Sequence, residues 1–150
     1  MDKFNSSNMK INILSKEIAS RNVRRMMEIE KDYPEPWTEE NFLFELLEKW
    51  ELSRYADLDK NIAGFIIASH KHDSFYIHRF MVDSNQRGKG IGKILYSNFE
   101  NSCVQRGDED NISLRVLINN LPTVKLYHTL GFEIVSEEEG VRYLMKKRIK

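Results

Sequence analysis

Two hydrophobic periods alternate along this chain of 150 residues. Ala19, Val23, Met26 and Met27 recur at helical spacing between residues 15 and 33, with Ile18 and Ile29 widening the face. Tyr33-Pro34-Glu35-Pro36 ends that helix, because each proline disfavours helix in the residue before it. Thr38, followed by Glu39 and Glu40, predicts an N-cap and an acidic first turn. Leu43, Leu46, Leu47 and Trp50 then stand at i, i+3, i+4 and i+7, which predicts a core-facing helical stripe. The period changes in the middle of the chain. Residues 62–69 are apolar and β-branched enough for a central strand, and residues 75–83 read as its neighbour. Ile91, Ile94, Leu95, Phe99 and Cys103 restore the helical period up to Arg106. Residues 112–118 form another strand, and Pro122 and Gly131 bracket a final helix. Residues 132–135 and 141–147 read as a closing hairpin, and shorter strands are expected at 10–14 and 52–58. Residues 1–9 are polar and patternless; they are expected to be a disordered tail before a single domain spanning 10–150.

The strand–helix–strand run from Phe75 to Ile118 implies two parallel strands joined by a right-handed crossover. The fold class is therefore α/β, and ligands in such sheets bind beyond the carboxyl ends of the parallel strands. Two polar segments begin at those ends, one after Val82 and one after Ile118.

The first, Arg87-Gly88-Lys89-Gly90-Ile91-Gly92-Lys93, places alternate glycines where a helix begins. Unbonded N–H groups and a partial positive charge at that point, with Arg87, Lys89 and Lys93 beside them, suit a diphosphate-like anion. A P-loop would need glycine where Lys93 stands, and so would a G-x-G-x-x-G dinucleotide loop. The spacing that does fit, R-x-x-G-x-G from Arg87 to Gly92, resembles the acetyl-CoA pyrophosphate loop of the GNAT superfamily of N-acetyltransferases. The second segment, Asn119-Asn120-Leu121-Pro122-Thr123-Val124-Lys125-Leu126-Tyr127-His128-Thr129-Leu130-Gly131-Phe132, is similar to that family's other signature, N-x(6)-Y-x-x-x-G-F. The resemblance covers the chain from about residue 10 onward. It implies a GNAT-like mixed central sheet with splayed parallel strands flanked by helices, and direct attack of an amine on the thioester of acetyl-CoA. It further implies that the main chain of Phe80, Met81 and Val82 pairs with the pantetheine arm, that Asn120 touches the same arm, and that Tyr127 is the general acid. Asn120 is equally natural as a helix N-cap, and Tyr127 as a packed ring with its hydroxyl at the surface.

Composition narrows the partners. With 23 basic and 23 acidic residues the formal net charge is zero, which gives no bulk electrostatic case for nucleic acid or an anionic membrane. No apolar run is long enough to span a bilayer and no leader pattern opens the chain, so a cytoplasmic protein is expected. The lone Cys103 lies on an apolar stripe and reads as core. His70 and His72 read as a solvated turn rather than a metal pair, and no metal is expected.

The acceptor is less determined. Glu35-Pro36-Trp37-Thr38-Glu39-Glu40-Asn41-Phe42 resembles ribosomal-protein alanine acetyltransferases, whereas Tyr76-Ile77-His78-Arg79-Phe80-Met81-Val82-Asp83 resembles the spermine/spermidine type. The acceptor is thus a protein N-terminus or a polyamine, and a homodimer is also open. In the first group a glutamate follows the first leucine of the strand, but after Leu114 this chain has Arg115, which cannot accept a proton. His78 is the substitute base, with a structural histidine as the other reading. From Glu28 to Glu48 acids far outnumber bases, which reads either as a rim attracting a cationic amine or as ordinary solvated helix surface. The missing base also keeps open a non-catalytic acyl-CoA-binding module.

Overall fold

A computed structural model describes residues 8–150. One seven-stranded sheet runs through them in the order β1-β2-β3-β4-β5-β7-β6. Its strands are β1 (Met9–Ile13), β2 (Arg54–Leu58), β3 (Asn61–Lys71), β4 (Ser74–Val82), β5 (Asn111–Leu117), β6 (Glu133–Glu138) and β7 (Arg142–Arg148). The helices are α1 (Lys16–Ile29), α2 (Glu39–Leu43), α3 (Lys49–Leu52), α4 (Ile91–Arg106) and α5 (Leu121–Thr129). Among the described residues no helix is long and apolar enough to cross a membrane. Residues 1–7 of the expected tail lie outside the described residues. Its last residue, Met9, is instead the first of β1, paired with Leu58 and packed against the Ala56, Ala63 and Ile91 cluster.

β3 is buried along most of its length, as its unbroken apolar run requires, and its side chains supply two cores by simple alternation. Ile66 and Ala68 face the cluster built with Leu95, Phe99, Tyr127 and Phe132. Phe65 and Ile67 face the one built with Val23, Met26 and Phe42. α1 thus lies on one face, with α4 and α5 on the other. Ser15 caps α1 by accepting the Ile18 N–H at 3.2 Å.

Among the described residues the only parallel pair is β4–β5, and it is short: Phe75, Tyr76 and Ile77 oppose Ile112, Ser113 and Leu114, and pairing stops there. The cause lies on the other edge of β4. Ile67 pairs with Arg79 and Ala68 with Ile77, so His78 is the extra residue of a β-bulge, which bends its strand. From Arg79 to Val82, β4 follows β3 while β5 follows β7, and a cleft opens between them.

One element differs from the sequence expectation. The stripe Leu43, Leu46, Leu47 and Trp50 does not form one core-facing helix. α2 ends at Leu43, Phe44 is extended, Glu48 is left-handed with φ 60°, and only then does α3 begin. Phe44 and Leu47 are 61% and 66% exposed, whereas Phe42 and Lys49 are fully buried. The break is held by Lys49, whose Nζ donates to the carbonyls of Phe42 at 2.7 Å and Phe44 at 2.6 Å. Those carbonyls lack helical partners, so the ammonium takes the place of the next turn. Burial lowers the Lys49 pKa to about 8. Lys49→Met keeps the volume and removes the donor, so two carbonyls lose their partner. We expect a loss of about 1–3 kcal/mol, read from denaturant unfolding; an unchanged or higher midpoint would contradict this role.

Candidate active site

The cleft between the diverging strands has a volume of about 850 Å³. Its lining includes β4 from Ile77 to Val82, the glycine loop, Leu114 to Val116 of β5, Asn120, Tyr127 and the chain after α1. The topology therefore brings Phe80, Met81, Val82, Arg87, Gly88, Gly90, Ile91, Gly92, Lys93, Asn120, Tyr127 and His78 to one cavity. Lys89 stands in the same loop but is not part of the lining; its Nζ donates at 2.9 Å to Oε1 of Gln86, which is.

The glycines are there for backbone reasons. Gly88 and Gly90 have φ of 81° and 84°, the left-handed region that a side chain strains. Gly90 is the N-cap of α4 and offers no side chain, so the N–H groups of the first turn keep no internal acceptor. At Gly92 a Cβ would lie in ordinary contact, 3.5 Å from the Val82 side chain, so the helix start packs on the end of β4 without requiring glycine there. Arg87 turns back to donate from Nε to the Val82 carbonyl at 3.2 Å. On the opposite wall Asn120 precedes α5 but its side chain makes no cap. Of the two readings of Asn120, capping is the one the geometry does not use, and the residue lines the cleft.

Tyr127 lies two turns further along α5, buried between Phe80 (ring centroids 6.3 Å) and Phe132 (5.5 Å). Among the described residues no protein group hydrogen-bonds its hydroxyl. Burial raises its pKa, so the phenol stays protonated across the neutral range. His78 behaves in the opposite sense. Its Nε2 is 2.7 Å from Ser69 Oγ and its ring lies against Tyr76, with centroids 4.8 Å apart. Burial, with Lys71, Lys49 and Arg79 adding to it, pushes its pKa down to about 3. A neutral imidazole that weak is a poor proton acceptor for an amine. Arg115 is fixed by a two-bond contact to Glu138 at 2.7 and 3.2 Å and by Tyr76 OH at 3.3 Å.

Five of the eight acids from Glu28 to Glu48 have basic partners, and Asp32, Glu39 and Glu40 have none among the described residues. Glu30 pairs with Arg79, Glu35 with Arg142, Glu45 with Lys16, Glu48 with Arg106, and Glu28 with Arg25 at the longer distance of 3.8 Å. His70 is also not the solvated turn expected from sequence. Its two ring nitrogens contact Glu48 (3.0 Å) and Glu109, and those carboxylates, Glu109 foremost, raise its pKa. Glu48, His70 and Asp108 bring ligand-type atoms within 4.8 Å of one another, but Arg106 pairs with both acids. Cys103 is fully buried in the core, its thiol pushed up to about 12 by burial.

Sequence reasoning missed Arg79. It is nearly buried, its guanidinium 4.6 Å from the rings of both Tyr33 and Trp37, with Glu30 beside it. An arginine inside an otherwise apolar strand was the available signal.

The profile of the acetyltransferase (GNAT) family matches residues 23–132, most of the chain, and the chain belongs to that family. A relative, the probable N-acetyltransferase san of Drosophila melanogaster, is 29% identical over 104 residues. That match covers 67% of this chain and 56% of the other, so the chain spans little more than half the length of that relative. The structure is similar to the ribosomal-protein-S18-alanine N-acetyltransferase from Escherichia coli (TM-score 0.78, 21% identity, 94% of each chain). It is also similar to the PaiA N-acetyltransferase from Thermoplasma acidophilum in complex with coenzyme A (TM-score 0.75, 19% identity, 94% of this chain and 99% of that one). At these identities the two structures bear on the fold, and both match it closely.

The two histidines give a direct check on these electrostatics. By NMR of the imidazole protons, His78 should stay neutral from pH 8 down to pH 5, since it is charged only below about 3. His70 should titrate above its ordinary value, because its carboxylate partners favour the charged form. A His78 midpoint near 6.5 would show that its burial is not as described.

Proposed function

We propose that this chain is an acetyl-CoA-dependent N-acetyltransferase whose acceptor is the α-amino group of a peptide. The carrying observation is one continuous wall: the uncapped α4 start, the unpaired edge of β4 from Arg79 to Val82, and Asn120 and Tyr127 facing them. The Gly88–Lys93 N–H groups and the charges of Arg87 and Lys93 suit the diphosphate. The free edge of β4 at Phe80, Met81 and Val82 offers strand-like hydrogen bonds to the amides of the pantetheine arm, and the Asn120 amide completes that arm's surroundings. The E. coli and T. acidophilum structures are named as an N-acetyltransferase of ribosomal-protein alanine and a coenzyme A complex, which supports both halves of the reading.

Chemically, the neutral amine attacks the thioester carbonyl carbon, a C–N bond forms and the C–S bond breaks. Tyr127, held protonated by burial, donates a hydrogen bond to the departing sulfur. The proton lost by nitrogen goes to water, because Arg115 cannot take it and His78 is too weak a base. That favours an acceptor already partly neutral. A peptide α-amine has a pKa of about 7.7–8.0, an alkyl ammonium about 10.4. Glu30 and Glu35 are committed to Arg79 and Arg142, which leaves Asp32 and the loosely paired Glu28 as the cleft's acids for a polyamine's several charges.

The test is CoA release by the purified chain with acetyl-CoA and a panel of peptide N-termini and polyamines. Peptides should be the better substrates, and Tyr127→Phe should lower kcat by roughly 10²–10⁴-fold with acetyl-CoA affinity unchanged. Preference for spermidine over every peptide would overturn the acceptor. Tight acetyl-CoA binding without turnover of any amine would make this a binding module, and wild-type kcat in Tyr127→Phe would remove its role.

A further inference from the structure

The segment between α1 and α2, residues 30–37, contains two prolines and no regular structure, yet it is fastened at several points. Arg79 of β4 makes most of the attachments. Its guanidinium sits between the rings of Tyr33 and Trp37, 4.6 Å from each, and donates to the Glu35 carbonyl. Its Nε is 3.1 Å from Glu30 Oε1, out of line for a hydrogen bond, so charge rather than a linear bond holds that contact. The other Glu30 oxygen accepts the Trp37 N–H at 2.6 Å, which closes the segment on itself. From the far half of the sheet, Arg142 of β7 reaches the Glu35 carboxylate at 2.5 Å. Glu35 is therefore held by its carbonyl from β4 and by its carboxylate from β7. The segment forms a strap between the two halves that the cleft separates, and Glu30, Lys31, Asp32, Tyr33 and Pro34 line the cleft.

We propose that Arg79 is a positioning residue for the acceptor: it presets the strap, the wall of the cleft across which the acceptor would lie, and thereby ties that wall to the strand proposed to hold the pantetheine arm. This rests on the N-acetyltransferase reading above. Arg79 is followed directly by Phe80, Met81 and Val82, so a displacement of the strap and one of the reacting centre are linked through one residue. Its side chain is 9% exposed and that of Glu30 1%. Neither is placed to bind an acceptor from water, but together they hold Tyr33 against the cavity. The role needs a planar, multiply donating cation that stacks between two rings, which lysine does not supply.

The test separates strap from chemistry. In Arg79→Lys the charge facing Glu30 is kept and the stack is lost. The acceptor KM should rise by roughly ten- to a hundred-fold, the scale of a misplacement of about 1 Å, while the KM and affinity for acetyl-CoA hold. A merely structural arginine would instead be rescued by lysine, or would lower stability without an acceptor-specific change. A second readout needs no turnover. The chain has two tryptophans, so in a Trp50→Phe background Trp37 reports alone. Arg79→Met, or Arg79→Lys should the methionine variant not fold, should shift Trp37 emission to the red and expose it to acrylamide quenching, with coenzyme A affinity unchanged. Wild-type acceptor KM in Arg79→Lys, or unchanged Trp37 quenching in the folded variant, would overturn the proposal. If the wild type acetylates no amine, the function reading fails, and Trp37 quenching still decides whether Arg79 holds the strap.

Discussion

The arrangement of the cleft depends on where two parallel strands stop pairing. β4 is bonded to β3 along nearly its whole length, and β5 to β7 likewise, so each half of the sheet is stiff. Between them only three residue pairs form, at the end where the Ser74 and Ser113 hydroxyls also meet. The bulge at His78 then turns β4 away. Buried N–H and C=O groups without partners are costly, and the exposed inner edge of β4 is tolerable because it faces a cavity that solvent or an extended ligand fills. The same divergence sets the start of α4 and the start of α5 facing each other across that cavity. A fully paired seam would leave no site.

Charge is then arranged so that the walls are held without a net field. A neutral chain places Arg25 on Asp83 at the end of β4, Arg115 on Glu138, and Arg79 and Arg142 on the strap. Each exposed pair is worth little alone. Glu30–Arg79 differs because it is buried, and removal of either partner leaves a charge without solvent or counter-ion. The glycine loop is the exception to this pairing. There Arg87 and Lys93 have no carboxylate partner among the described residues, beside helix N–H groups that also lack acceptors.

How much of this was legible in the sequence varied with the physical cause. The convergence of Gly88–Lys93 with Asn120 and Tyr127 followed from hydrophobic period and the geometry of a crossover, and both hold in the structure. The central place of β3 followed from its apolar, β-branched composition, whereas the two cores it feeds did not. The break between α2 and α3 did not, because Leu43, Leu46, Leu47 and Trp50 have helical spacing, and what overrides it is a tertiary contact, Lys49 on two carbonyls. The two readings of His78, base or structural histidine, stayed open for a similar reason: an unperturbed imidazole suits a base, and the burial that lowers its pKa belongs to the folded strand. The acids of residues 28–48 read equally as a rim or as solvated helix surface, and the partners of Glu30, Glu35, Glu45 and Glu48, all distant in sequence, were not legible. Period and turn chemistry are local and readable; ion pairing and desolvation belong to the assembled structure.

The proposed seating of acetyl-CoA in the opened seam is read by the backbone amide NMR footprint of coenzyme A on the folded chain, compared with that of its diphosphate-bearing nucleotide half alone. The account predicts saturable shifts at Gly88 to Lys93 with both ligands, and at Phe80 to Val82 and Asn120 only with the intact pantetheine arm. Shifts confined to other surfaces, or a β4 edge that stays unperturbed when coenzyme A saturates, would contradict it.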